Sequence, residues 1–128
     1  MQEACDFLKK CKIYYLATMD GDQPRVRPFG TANMFEGKLY FQTGKTKLVA
    51  GQIRKNPKIE ITAFDGTSWI RIEAIAVEDD RRECRQAMLD AYPALKENFS
   101  ADDGDTQVYY LKKATTTMSK FLSTPKAT

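Results

Sequence analysis

The chain has 128 residues, with 20 Lys and Arg against 17 Asp and Glu, a formal charge of +3, and no histidine. This length predicts one domain that buries about two-thirds of its unfolded surface, and the mild basic excess allows an anionic ligand without demanding nucleic acid. The missing histidine excludes Ser-His-Asp and Cys-His catalysis and any histidine-ligated metal, and Cys5, Cys11 and Cys84 lack the pairing of a disulfide framework or zinc site.

Reduced thiols fit a cytoplasmic location. No leader is recognisable and no run of about 18 apolar residues occurs, so no membrane association is expected. Ala4, Phe7, Leu8 and Cys11 recur at helical spacing and predict a short first helix. Lys12 to Thr18, rich in Ile and Tyr, reads as a strand. Asp20-Gly21 signals a tight turn, so the next strand, Pro24 to Phe35, returns antiparallel. Glu36-Gly37 marks another turn before a third strand, Leu39 to Thr43.

Gly44 breaks the pattern, and Thr46 is the expected N-cap of a helix over Lys47 to Lys55. Asn56-Pro57 stops that helix. Strands follow at Lys58 to Phe64 and Trp69 to Glu78, separated by Asp65-Gly66. Asp79 or Asp80 is expected to cap a helix with Cys84, Ala87, Met88 and Ala91 on its apolar side, ending before Pro93. Ser100 to Asp105 reads as a polar loop. Val108 to Leu111 is a further strand, which Thr115 to Met118 extends or follows. Residues 1–122 form the expected single domain, and Ser123 to Thr128 a loose tail. Roughly six antiparallel strands with flanking helices predict a mainly β, α+β protein, and closure into a small barrel would remove exposed edges.

Two segments carry the chemical signal. Arg25 and Arg27 alternate with Val26 and share one side of their strand. A solvated outer face is one reading of them. The adjoining Pro28-Phe29-Gly30 supports another, because proline interrupts the ladder and glycine lets a flat ligand approach the main chain. Thr43, Lys45, Thr46 and Lys47 lie at a strand-to-helix junction, where backbone N–H groups and hydroxyls can hold a phosphate. An exposed lysine loop is the plain alternative, and the spacing is not that of a P-loop. Trp69 reads as a core or interface aromatic. No carboxylate pair stands out as a general acid and base, and the Asp102 to Asp105 cluster lacks EF-hand spacing.

The segments YYLATMDGDQPRVRPFG, GKLYFQTGKTK, IRKNPKIEI and WIRIEAIAVEDD, in that order, resemble the pyridoxamine 5′-phosphate oxidase-like, FMN-binding family. The resemblance implies a small antiparallel split β-barrel that forms a homodimer with FMN at the interface. It carries Arg27, Pro28 and Phe29 to the strand that meets the flavin and its phosphate. Gln42 and Thr43 correspond to the strand end beside the ring and ribityl chain. Lys45, Thr46 and Lys47 correspond to the phosphate end, with Trp69 and, more weakly, Arg25 as further flavin contacts. Relatives often have two successive basic residues at the helix start, where this chain has Lys47-Leu48, and a glycine at the place of Ala74. The true oxidases end in a region with Trp and an Arg-x-His element. This chain has neither that element nor any histidine, which argues against oxidation of pyridoxamine phosphate.

The implied activity is electron or hydride transfer from a nicotinamide donor to a small acceptor, with no metal. Non-catalytic binding or sensing of FMN, of F420 or of haem is the first rival. Binding of single-stranded nucleic acid through Tyr14, Tyr15, Tyr40 and Phe41 is the remote one, disfavoured by the low charge.

Overall fold

A computed structural model describes residues 1–120; the expected tail, Ser123 to Thr128, lies outside the described residues. The elements run α1 (Gln2–Cys11), β1 (Tyr14–Asp20), β2 (Gln23–Phe29), β3 (Asn33–Phe35), β4 (Lys38–Gly44), α2 (Leu48–Lys55), β5 (Lys58–Phe64), β6 (Ser68–Glu78), α3 (Arg82–Ala91) and β7 (Thr106–Lys120). A short 3-10 helix, Pro93–Glu97, follows α3. The expected mainly β, α+β class is the one observed.

The strands form one antiparallel seven-stranded sheet in the order β2-β1-β5-β6-β7-β4-β3. Its two edge strands, β2 and β3, are not paired with each other, so the expected barrel closure does not occur. The predicted strand from Pro24 to Phe35 is in fact these two edges. Between them the chain leaves the sheet at residues 30–32. Backbone groups outside a ladder need other partners, and two tyrosines supply them. The Tyr14 hydroxyl donates to the Thr31 carbonyl at 2.6 Å. The Tyr92 hydroxyl accepts from the Ala32 N–H at 3.1 Å and donates to the Ala32 carbonyl at 3.0 Å.

Alternation sets which side chains enter the core. Tyr14, Leu16 and Thr18 of β1, Ile59, Ile61 and Ala63 of β5, and Ile70, Ile72, Ala74 and Ala76 of β6 point inward and are buried. Phe7 and Leu8 of α1 and Val49 and Ile53 of α2 pack into the same core. Each large aliphatic side chain so buried contributes about 1.5–3 kcal/mol. In β4 alternation fails, because Leu39 to Gln42 are all buried. A second cluster explains this: Tyr40 and Val108 meet Cys84 and Met88 of α3 on the other face of the sheet.

The final strand is one piece rather than two. Glu73 pairs with Thr115 and Ile75 with Lys112, so Ala74 faces the two residues Lys113 and Ala114. This is a β-bulge, and Lys113 takes a positive φ of 53° there. Two helix starts also differ from expectation. No side chain caps α2, whose N-cap residue is Lys47, and Thr46 lies one residue earlier. The N-cap residue of α3 is Arg81, beyond both Asp79 and Asp80. Asp79 instead accepts the Arg81 backbone N–H at 3.3 Å and the Arg81 side chain at 3.0 Å.

Candidate functional site

The end of β2, the crossing segment after it, the end of β4 and the start of α2 surround a cleft of about 380 Å³. Six of the ten residues singled out in the sequence line it: Arg27, Pro28, Phe29, Gln42, Thr43 and Lys47. They come from two separate stretches that only the sheet topology brings together. Leu95 and Phe99, from the connection between α3 and β7, complete the wall. Sequence reasoning missed both, since neither belongs to a motif or to a periodic apolar stripe.

The wall has two characters. Phe29, Val49, Leu95 and Phe99 are apolar. Phe29 is fixed edge-on to Phe41 with ring centroids 5.5 Å apart, and Phe41 stacks on Tyr109 at 5.4 Å. Arg27 and Lys47 bring two positive charges, and no carboxylate lies among the lining residues. Burial lowers the pKa of Arg27, in the direction expected for a cation removed from water.

Gln42 is 8% exposed, and its Oε1 is the buried side-chain oxygen that finds no hydrogen-bond partner among the described residues. Its backbone N–H donates to the Thr31 hydroxyl at 3.0 Å. A buried acceptor without a donor costs free energy, and this one belongs to a residue lining the cleft. The lining thus combines an unpaired acceptor, two cations and an apolar wall.

The other four candidates lie elsewhere. Arg25 pairs with Asp20 at 3.3 Å. The Thr46 N–H and hydroxyl both donate to Asp105 Oδ1, at 3.2 and 3.3 Å, and the Lys45 N–H donates to the Asp105 carbonyl at 2.7 Å. The Lys45 side chain lines a separate charged hollow with Arg54, Arg85, Glu78 and Asp80. Trp69 is the second residue of β6, with Arg71 over its ring at 5.0 Å. A larger open groove, about 640 Å³, crosses the outer sheet face beside Tyr15, Val26, Glu60 and Ile75 and contains none of the ten.

Among the described residues no group of His, Cys, Asp and Glu could hold a metal ion, and no helix is long and apolar enough to cross a membrane. The family model described as pyridoxamine 5′-phosphate oxidase matches residues 1–120. No curated protein matches the chain. Among solved structures, a nimc/nima family protein from Clostridium acetobutylicum is 45% identical, with a TM-score of 0.92 over 95% of this chain and 88% of that one. A pyridoxamine 5′-phosphate oxidase-related, FMN binding protein from Nostoc punctiforme has the same fold at 15% identity, with a TM-score of 0.68 over 97% of this chain and 84% of that one. A fad-binding protein from Mesorhizobium loti does so at 15% identity, with a TM-score of 0.64 over 93% of this chain and 91% of that one. The chain belongs to the pyridoxamine 5′-phosphate oxidase-like family.

Proposed function

We propose that this protein binds FMN in the cleft between β2, β4 and α2 and acts as a flavin-dependent oxidoreductase. The observation that carries the reading is the convergence of Arg27, Lys47 and Gln42, a residue whose Oε1 is buried without a partner, on one cleft that no carboxylate lines among the described residues. Structural neighbours described as FMN- and FAD-binding support a flavin in general. The two cations favour a phosphate-bearing form.

When bound, the flavin would supply hydride and electron transfer, for which this chain has no side-chain equivalent. The protein's part is to hold and orient. Arg27 and Lys47 would take the phosphate, Thr43 the neighbouring polar chain, and Gln42 an N–H on the ring edge. Phe29, Leu95 and Phe99 would exclude water from the ring. A nicotinamide donor and a small acceptor complete the proposed reaction.

The reading includes a homodimer. Tyr15 and Val26 stand 46% and 67% exposed on the outer sheet face, beside the open groove. An apolar surface of this kind suits a second copy.

The test begins with the purified protein, which is expected to be yellow and to release a compound with the mass of FMN on denaturation. Anaerobic reduction by NADH or NADPH, followed by a screen of acceptors, tests the activity. Light scattering tests the dimer. A colourless protein that neither quenches added FMN nor gains melting temperature from it would overturn the proposal.

A further inference from the structure

Arg27 differs from most arginines of this protein in its partners. Arg25, Arg71, Arg81, Arg82 and Arg85 each have a carboxylate within 3.3 Å. Among the described residues Arg27 has only neutral acceptors. One Nη1 N–H donates to the Leu16 carbonyl at 3.1 Å and the other to the Thr18 hydroxyl at 2.8 Å. An Nη2 N–H donates to Gln52 Oε1 at 2.6 Å. Thr18 closes the ring by donating its own proton to the same Gln52 oxygen at 2.6 Å.

The donor assignment is forced. Arginine has five N–H donors and no acceptor, so Gln52 must present its oxygen. Thr18 already accepts from Arg27, so its proton goes to Gln52. The Thr18–Gln52 pair therefore occupies the end of the guanidinium, where Nη1 and Nη2 project together. The Nε–H and the second Nη2 N–H have no partner among the described residues. Those two donors lie along the side edge of the group and run parallel, which is the geometry that matches two oxygens of a phosphate.

Thr18 itself is out of place on hydrophobic grounds. It is 2% exposed, on the inward side of β1 in the same row as Tyr14 and Leu16. A buried hydroxyl costs free energy unless it is bonded, and Arg27 and Gln52 are its two partners. Because neither is a carboxylate, the network fixes the guanidinium without cancelling its charge.

We propose that Thr18 and Gln52 are positioning residues that hold Arg27 so that its charge and its free side edge serve the phosphate of the bound nucleotide. This rests on the FMN reading above. Neither residue is among those lining the cleft; both act through Arg27.

Binding of FMN and of riboflavin, which lacks the phosphate, to flavin-free protein separates the possibilities. Gln52→Ala is expected to weaken FMN by about tenfold, the scale of one charge-assisted hydrogen bond. Riboflavin affinity should stay within about twofold, since no phosphate contact is involved. Thr18→Val should act in the same direction, and Thr18→Ser, which keeps the hydroxyl, should restore FMN affinity. In an Arg27→Ala background Gln52→Ala should change nothing further, because coupled residues are not additive. Melting temperatures of the flavin-free variants confirm that each is folded. Should Thr18→Val fail to fold, Gln52→Ala and its combination with Arg27→Ala still decide the matter. Unchanged FMN affinity in Gln52→Ala, or equal losses for FMN and riboflavin, would overturn the positioning role alone. Failure of the wild-type protein to bind FMN would overturn both this inference and the reading beneath it.

Discussion

Replacing Gln42 with leucine should make the flavin-free protein more stable and the flavin complex weaker. Gln42 is almost fully buried at the end of β4, and its Oε1 finds no hydrogen-bond partner among the described residues. Leucine has a similar size and no polar atoms, so the change deletes an unpaired buried acceptor. Such an acceptor costs about 1–3 kcal/mol. Taking the lower half of that range, the flavin-free protein should gain about 1–2 kcal/mol. For a chain of 128 residues, about 2.1 cal/mol/K of unfolding entropy per residue makes 1 kcal/mol worth about 4 °C. Scanning calorimetry on flavin-free protein should thus show a melting temperature higher by about 4–8 °C. In the complex the same oxygen would accept a hydrogen bond, so FMN affinity should fall by about tenfold in a fluorescence titration. The opposite signs are what identify a group kept for a ligand at the expense of stability. A lower melting temperature without flavin, or undiminished FMN affinity, would refute the reasoning.

Lys47→Ala should weaken FMN several-fold and leave riboflavin unchanged in the same titration, with stability altered by less than about 0.5 kcal/mol because the side chain is exposed. Asp105→Ala removes the acceptor of the Thr46 N–H and hydroxyl, and denaturant titration should show a loss of about 1 kcal/mol. A Cβ on Gly44 would stand 2.9 Å from Asp105 Oδ2, so Gly44→Ala should also destabilise, and its cost should shrink in the Asp105→Ala background. Alkaline stability should report the buried phenols. Burial pushes Tyr109 up to about 12, and burial together with the bond to Asp79 pushes Tyr40 well above its ordinary value. Unfolded phenols ionise near about 10, so the stabilisation is complete below that pH. It is lost as pH rises from there through the folded pKa values. The melting temperature should hold to about pH 9.5 and then decline, and Tyr109→Phe should make the decline shallower.

The legibility of the chain follows the range of the interactions involved. Local signals located the turns at Asp20-Gly21, Glu36-Gly37 and Asp65-Gly66, and period-two burial in β5 is just what Ile59 and Ile61 announce. The break at residues 30–32 was foreshadowed by Pro28 and Gly30, but its stability depends on hydroxyls of Tyr14 and Tyr92, one before it and one distant. The bulge opposite Ala74 was hidden because it is a property of two paired strands, with only Lys113 showing it in the backbone. Leu95 and Phe99 were invisible for a related reason. They matter through where the connection between α3 and β7 places them, Leu95 in its 3-10 helix and Phe99 just after it, and an isolated Leu or Phe in a connection carries no periodicity.

The junction between β4 and α2 shows most directly what a motif leaves unsaid. In sequence, Lys45, Thr46 and Lys47 are consecutive members of one strand-to-helix junction. In the structure they are sorted by Asp105. Its carboxylate takes the Thr46 N–H and hydroxyl, and its carbonyl takes the Lys45 N–H. The loop is thereby fixed, and Lys47 is the member left at the cleft. Between the two arginines of β2 the sorting follows the acceptors available on β1 and α2. Arg25 meets a carboxylate and is neutralised; Arg27 meets Thr18, Gln52 and a carbonyl and keeps its charge. A cleft selects an anion by having cations whose charge has not been cancelled, so the distribution of carboxylates determines the site as much as the lysines and arginines do. It follows that placing an acid at position 52, as in Gln52→Glu, should hold Arg27 as firmly as the wild type while abolishing its preference for FMN over riboflavin. A preserved preference would show that orientation of the guanidinium matters there and its charge does not.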